Sequence, residues 1–292
     1  MKDKNKKGLM LNVIVILLVL AGFSLLLYPF VKFWTANRKT TYAIEEYDKT
    51  YEKMNKEKIE KEWEKAKIYN KNLKTGTIAD PFTVNPTTVL DDYYKVLDIG
   101  ENGMMGYIRI PKINLRLPIY HGTSESVLDK GIGHLKGTHL PVGGASTHSV
   151  LSGHAGLRSA VLFTNLTELK EGDEFYINIL DKTLAYRIDK ISVVLPDDMS
   201  GIKPIPGRDL VTLVTCTPYG INSHRLLVRG TRVKYTPEGL KKKIADTKVE
   251  INWMTKVLIG AAICFALIIL YLLYRFIKKI KKKRVKDNSE KN

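Results

Sequence analysis

Cys216 closes the run Thr212-Leu213-Val214-Thr215-Cys216, and Arg225 follows nine residues later, across Pro218-Tyr219-Gly220-Ile221-Asn222. A thiolate is a strong nucleophile. A guanidinium beside it could hold a carbonyl oxygen as that oxygen gains charge, and could lower the thiol pKa. The chain has one other cysteine, Cys264, inside a long apolar stretch, so Cys216 has no disulfide partner in its own domain. Two readings are open. An unpaired thiol at the end of a strand-like run suits a nucleophile, and a free Cys also packs as a small buried hydrophobe. Arg225 likewise reads as an oxyanion partner or as a surface cation.

Thiol chemistry needs a proton acceptor as well. Six histidines are available: His121, His134, His139, His148, His154 and His224. His154 follows a β-like run and lies in Ser152-Gly153-His154-Ala155-Gly156, where glycines at a strand end suit a ring presented into a cleft. His148 and His224 are rivals on position alone. No CxxC or HExxH spacing supports a metal site, and there is no Gly-rich phosphate loop. The Cys-Gly-Ser-Cys-Trp context of papain-like proteases is absent around Cys216.

The elements that must position these groups are short and β-rich. Residues 106–111, 115–120, 149–154, 174–179, 184–188, 191–195, 210–215 and 225–234 read as strands separated by turn residues, which predicts a barrel or sandwich. Within that region only Ser159 to Leu169 reads as a helix. Upstream, Ile44, Tyr47, Tyr51, Met54, Ile59, Trp63 and Ala66 recur at helical spacing among Glu and Lys, predicting one or two amphipathic helices over 43–72, with a spacer or coiled coil as the plain alternative. The segment Thr75 to Pro86 holds two prolines, a Gly and an Asn and reads as a loop carrying Asp80, Pro81 and Phe82.

The chain has 292 residues and a formal charge of +17. Lys2, Lys4, Lys6 and Lys7 against Asp3 place a net +3 at the start, and residues 275–292 carry a net +7. Most of the excess therefore flanks two apolar segments, about 9–33 and 257–277. Each is long enough to cross a hydrocarbon core of roughly 30 Å. The first is too long for a signal-peptide core and lacks a small-residue cleavage site, so it reads as an uncleaved signal anchor. Basic residues at both outer ends favour cytoplasmic termini and an extracytoplasmic domain between them. The tails then touch anionic lipid, and no nucleic-acid partner is called for.

The Thr212 to Cys216 run with Arg225 resembles the signature of the sortases, a family of cysteine transpeptidases. The longer run Cys216 to Gly230 is similar to the pilin-polymerising class C branch, as are Gly106 to Gly122, Gly131 to Gly144 and Ser146 to Leu157. The resemblance covers roughly residues 75–235. It implies a mainly β fold, a closed sortase-type β-barrel of about eight strands with N-terminal helices, a lid loop and two transmembrane helices. It implies Cys216 as nucleophile, His154 as general acid/base and Arg225 as oxyanion stabiliser, with no cofactor. Asp80, Pro81 and Phe82 resemble the lid of pilus sortases, in which the acid and the aromatic cover the active site. Ala155 and Arg158 depart from the Arg and Pro more often found there, which bears on loop detail only.

The implied organisation is a basic cytoplasmic tail (1–8), a signal anchor (9–33), a helical region (34–74), a lid (75–90), the catalytic barrel (91–238), a juxtamembrane linker (239–256), a second span (257–277) and a basic cytoplasmic tail (278–292). The implied reaction cleaves an LPxTG-like sorting signal through a thioester and joins it to a lysine of a pilin subunit. The alternative acceptor is cell-wall precursor. A membrane-tethered binding module with a structural Cys is the reading from another class. With ordinary pKa values near 8.5 and 6.5, thiolate and imidazolium coexist in on the order of one per cent of molecules at pH 7.

Overall fold

The computed structural model describes residues 2–73, 80–82, 92–156, 162–246 and scattered positions between 257 and 278. It divides into two compact units, Met1–Thr247 and Lys248–Asn292. In the second unit the described positions are helical.

The first unit opens with helix α1 (Lys2–Glu52), a single run of 51 residues that carries the first apolar segment into the Glu/Lys-rich region without a break. A turn follows, and Asn55 caps helix α2 (Lys56–Asn72), its side chain accepting from the Lys58 N–H at 2.9 Å. The helical spacing expected over 43–72 is therefore present, split at residues 53–55. Its apolar positions are the docking face: Ile44, Tyr47, Trp63 and Ala66 are buried. Among the described residues, no helix is long and apolar enough to cross a membrane. The two expected spans thus find no support here; many side chains of 9–33 and several residues of 257–277 lie outside the described residues.

The barrel consists of β1 (Met104–Ile110), β2 (Leu115–His121), β3 (Ile132–His134), β4 (Thr147–Ser152), β5 (Glu174–Ile179), β6 (Lys182–Val194), β7 (Asp209–Thr217) and β8 (His224–Val233). It closes in the order β1-β2-β3-β4-β7-β8-β6-β5, with β5 paired back to β1. The β2/β3 and β4/β7 pairs are parallel and the others antiparallel. Helix α3 (Glu125–Leu128) links β2 to β3, and α4 (Pro237–Asp246) follows β8.

Several elements differ from the sequence expectation. The two strands expected over 184–188 and 191–195 are one strand, β6, with a register shift between Ile188 and Lys190. A bulge lets one strand bend without ending. β3 is three residues long, too short for an alternating pattern to show. The helix expected from Ser159 is a 3₁₀ turn over Thr164–Glu168, its first residues lying outside those described. α4 occupies part of what reads as linker.

Alternation along each strand divides its side chains between two faces. Ile108, Leu151, Phe175, Leu213 and Val228 join the main core inside the barrel. Val150, Val214 and Leu227 point the other way and join a second apolar cluster with Leu135, Met199 and Ile202. The helices pack on the barrel through polar clamps as well. The Tyr47 hydroxyl donates to Met105 O and accepts from Leu180 N, both at 2.9 Å. Trp63 Nε1 donates to Asp181 Oδ1 at 2.7 Å. Asn70 exchanges two bonds with the Leu140 backbone.

Candidate active site

β7 and β8 form an antiparallel hairpin in which Cys216 lies directly opposite Arg225, Val214 opposite Leu227 and Thr212 opposite Arg229. On its other side β7 runs parallel to β4, with Val150 beside Thr212 and Ser152 beside Val214. Gly153 N donates to Val214 O at 3.1 Å, and Thr215 Oγ1 donates to Gly153 O at 2.7 Å. These bonds carry the pairing past the end of β4, so the next step sets His154 beside Cys216. Continuing that register past the end of β4, His154 falls in line with the Cys216–Arg225 pair of β7 and β8, one row above Ser152, Val214 and Leu227. Gly153 is required by packing: a Cβ there would meet Ile132 Cδ1 at 2.8 Å and Phe163 Cδ2 at 2.9 Å.

Asp80 and Phe82 cover this row. Asp80 pairs bidentately with Arg225, Nε to Oδ1 at 2.9 Å and Nη2 to Oδ2 at 2.6 Å. The side chains are 5% and 7% exposed. Arg225 Nη1 donates to the Asn222 and His224 carbonyls, so all three guanidinium nitrogens are engaged. The Phe82 ring lies 5.7 Å from the His154 ring and 5.1 Å from Arg225 Cζ, and packs on the apolar cluster of Val150 and Val214. Pro81 between them is buried. The rest of the expected lid, residues 75–79 and 83–90, lies outside the described residues.

The electrostatics of this covered state favour neutral groups. Burial pushes the Cys216 thiol up; Arg225 works against that and Asp80 reinforces it. Burial pushes His154 down, and the carboxylates of Asp129 and Glu125 oppose the shift. A raised thiol and a lowered imidazole keep Cys216 protonated and His154 uncharged near neutrality, so thiolate–imidazolium pairs are rarer than for unperturbed groups. Asp80 also occupies the guanidinium that would otherwise favour the thiolate.

The rival histidines sit elsewhere in the hydrogen-bond network. His148 is buried, with Nδ1 2.9 Å from Lys203 O and Nε2 2.7 Å from Thr212 Oγ1. His224 stands opposite Thr217, its Nδ1 2.8 Å from Ser223 Oγ. His121 and His134 are buried against backbone carbonyls and Tyr93, and buried His139 accepts at Nδ1 from the His148 N–H. Among the described residues, no group of three or more His, Cys, Asp or Glu side chains could hold a metal ion.

Three contributors escaped the sequence reading. The Asn222 and His224 carbonyls orient Arg225, and only the turn geometry reveals them. Glu125 and Asp129 stand one helical turn apart, a spacing visible in the sequence, but their proximity to His154 depends on β3 pairing with β4. Tyr219, exposed on the hairpin turn, lies so close to Gly156 that a Cβ there would meet its ring at 2.6 Å; Gly156 also has φ +80.

An eight-stranded barrel with Cys216 opposite Arg225 on β7 and β8, and His154 just past the end of β4, defines a class, and comparison with known proteins names it. A family model described as the sortase domain matches residues 108–233. A solved sortase C from Streptococcus pneumoniae is 45% identical, with a TM-score of 0.62, over 67% of this chain and 98% of its own. Sortase C-1 from Actinomyces oris is 51% identical, with a TM-score of 0.58, over 61% and 99%. A pilus-related sortase C of Group B Streptococcus is 42% identical, with a TM-score of 0.61, over 65% and 96%. The chain belongs to the sortase family, and these solved neighbours are sortase C enzymes.

Proposed function

We propose that this chain is a cysteine transpeptidase that polymerises pilins. The observation that carries the reading is the single row of His154, Cys216 and Arg225 covered by Phe82 and Asp80. With the lid withdrawn, a peptide bearing an LPxTG-like signal lies across the row. Cys216 gives its proton to His154 as the sulfur attacks the Thr carbonyl carbon. The negative oxygen of the tetrahedral intermediate takes the Arg225 donors that Asp80 held. The C–N bond to Gly breaks, the imidazolium protonates the leaving amine, and a thioester remains. A pilin lysine amine then attacks the thioester, His154 accepts its surplus proton, and the thiolate leaves with an isopeptide bond formed.

The lid is a gate of modest strength. Desolvating the Asp80 and Arg225 charges offsets much of their attraction, so a buried pair of this kind contributes little net stability. That balance lets a binding peptide displace it. The apolar segments 9–33 and 257–277 tether the enzyme to a membrane through their basic flanks, with the catalytic unit on the outer side and both termini in the cytoplasm.

The test is mass spectrometry of products formed from a pilin carrying its sorting signal, with an amine mimic of cell-wall precursor in a parallel reaction. The expected product is a lysine isopeptide ladder, absent with Cys216→Ala. Ladders formed by the alanine variant would falsify the reading. Transfer to the precursor mimic alone would redirect it to cell-wall attachment.

A further inference from the structure

Ser152 is 0% exposed, and its hydroxyl has no hydrogen-bond partner among the described residues. Leaving a buried hydroxyl without a partner is costly, so a serine there calls for a partner in some other state of the protein. Its position on β4 suggests which. Ser152 is two residues before His154, hence on the same face, one row below the Cys216 row and beside Val214. Its neighbours Val150 and Val214 belong to the apolar cluster on which Phe82 packs. In the same state, neither ring nitrogen of His154 has a hydrogen-bond partner among the described residues; its ring contact is with Phe82. An imidazole that must hold and return a proton needs a second group to set its tautomer and orientation. Among the described residues, a base without an orienting partner therefore stands one step above a hydroxyl without a partner.

We infer that Ser152 is the positioning residue of His154: once Phe82 withdraws and admits water, the Ser152 hydroxyl engages the imidazole nitrogen that faces away from Cys216. The i to i+2 spacing of a strand is roughly 6.6–6.8 Å, which a Ser side chain, one water and an imidazole span. The inference rests on the transpeptidase reading, since it assigns His154 the proton transfer.

β4 supplies its own control. Ser149 carries a second buried orphan hydroxyl on the same strand, but by alternation it falls on the opposite face, with Leu151. Both alanine variants remove one orphan hydroxyl from one strand, so effects of packing or solvation alone should match. The experiment uses the full-length chain and measures single-turnover thioester formation with a sorting-signal peptide across pH. Ser152→Ala is expected to slow acylation about ten- to a hundredfold, the scale on which loss of a partner behind a working imidazole acts. It should also displace the pH limb belonging to His154 while leaving the melting temperature level or higher. Ser152→Thr, which keeps the hydroxyl, should recover the parental pH profile, and Ser149→Ala should retain it throughout. Parental rates and profile in Ser152→Ala, or equal losses in both alanine variants, overturn the inference and leave the transpeptidase reading standing. Absence of a thioester in the parent overturns both.

Discussion

Cys216 and Arg225 face each other across one hairpin, yet while Asp80 holds the guanidinium its downward pull on the thiol is outweighed by burial. Removing Asp80 takes away a charge that raises the thiol, and removing Phe82 opens the site to water, which lowers the desolvation that raises it most. Both changes act in one direction. Asp80→Ala with Phe82→Ala should move the pH midpoint of Cys216 alkylation downward and speed labelling by a bulky reagent; an unchanged midpoint would count against occlusion. Arg225→Ala should behave differently from the loss of an ordinary buried ion partner. Stranding a buried charge costs about 3–5 kcal/mol in a rigid site, but on the lid reading proposed above Asp80 would move into water instead. Alkylation should rise in this variant, transfer should be lost, and the melting temperature should change little.

The elements around the row govern how well it is held. Burial depresses His134 to about 3 and His148 to about 4. As pH falls below the unfolded value near 6.5, the unfolded chain takes up protons that these two refuse until about 4 and 3. Stability should therefore be flat above pH 6.5 with respect to them and decline as pH drops toward 4. Thermal unfolding across that range checks it, and His148→Gln should shallow the slope. Short helix α3 acts on the row from the other side. Replacing Glu125 and Asp129 by Gln and Asn removes the two charges that hold His154 up, so the limb of the rate profile belonging to that histidine should shift to lower pH. At the helix–barrel contact, Tyr47→Phe strands the Met105 carbonyl and the Leu180 N–H. Denaturant unfolding should show a loss of about 1–3 kcal/mol, without a change in labelling of Cys216.

At the scale of the whole molecule, most of the strands were legible because alternation and turn residues are local signals. The 174–179 strand lies where its pattern put it, and the docking face of the first two helices follows the spacing of Ile44, Tyr47, Trp63 and Ala66. The three-residue β3, the fusion of two segments into β6 and the 3₁₀ turn at Thr164–Glu168 were not legible. Each is decided by partners distant in the chain: β3 is held between β2 and β4, and the long β6 is held by β5 and β8. What the amino-acid sequence determined alone was the chemical set: one unpaired thiol, an arginine one hairpin away and a histidine between glycines, on a β-rich scaffold. Which of six histidines joins the thiol, and whether the arginine is free or held by Asp80, depended on tertiary structure. Parallel pairing of β4 with β7 and an Asp80–Arg225 contact spanning 145 residues are long-range events, and local spacing carries no information about which distant groups will meet.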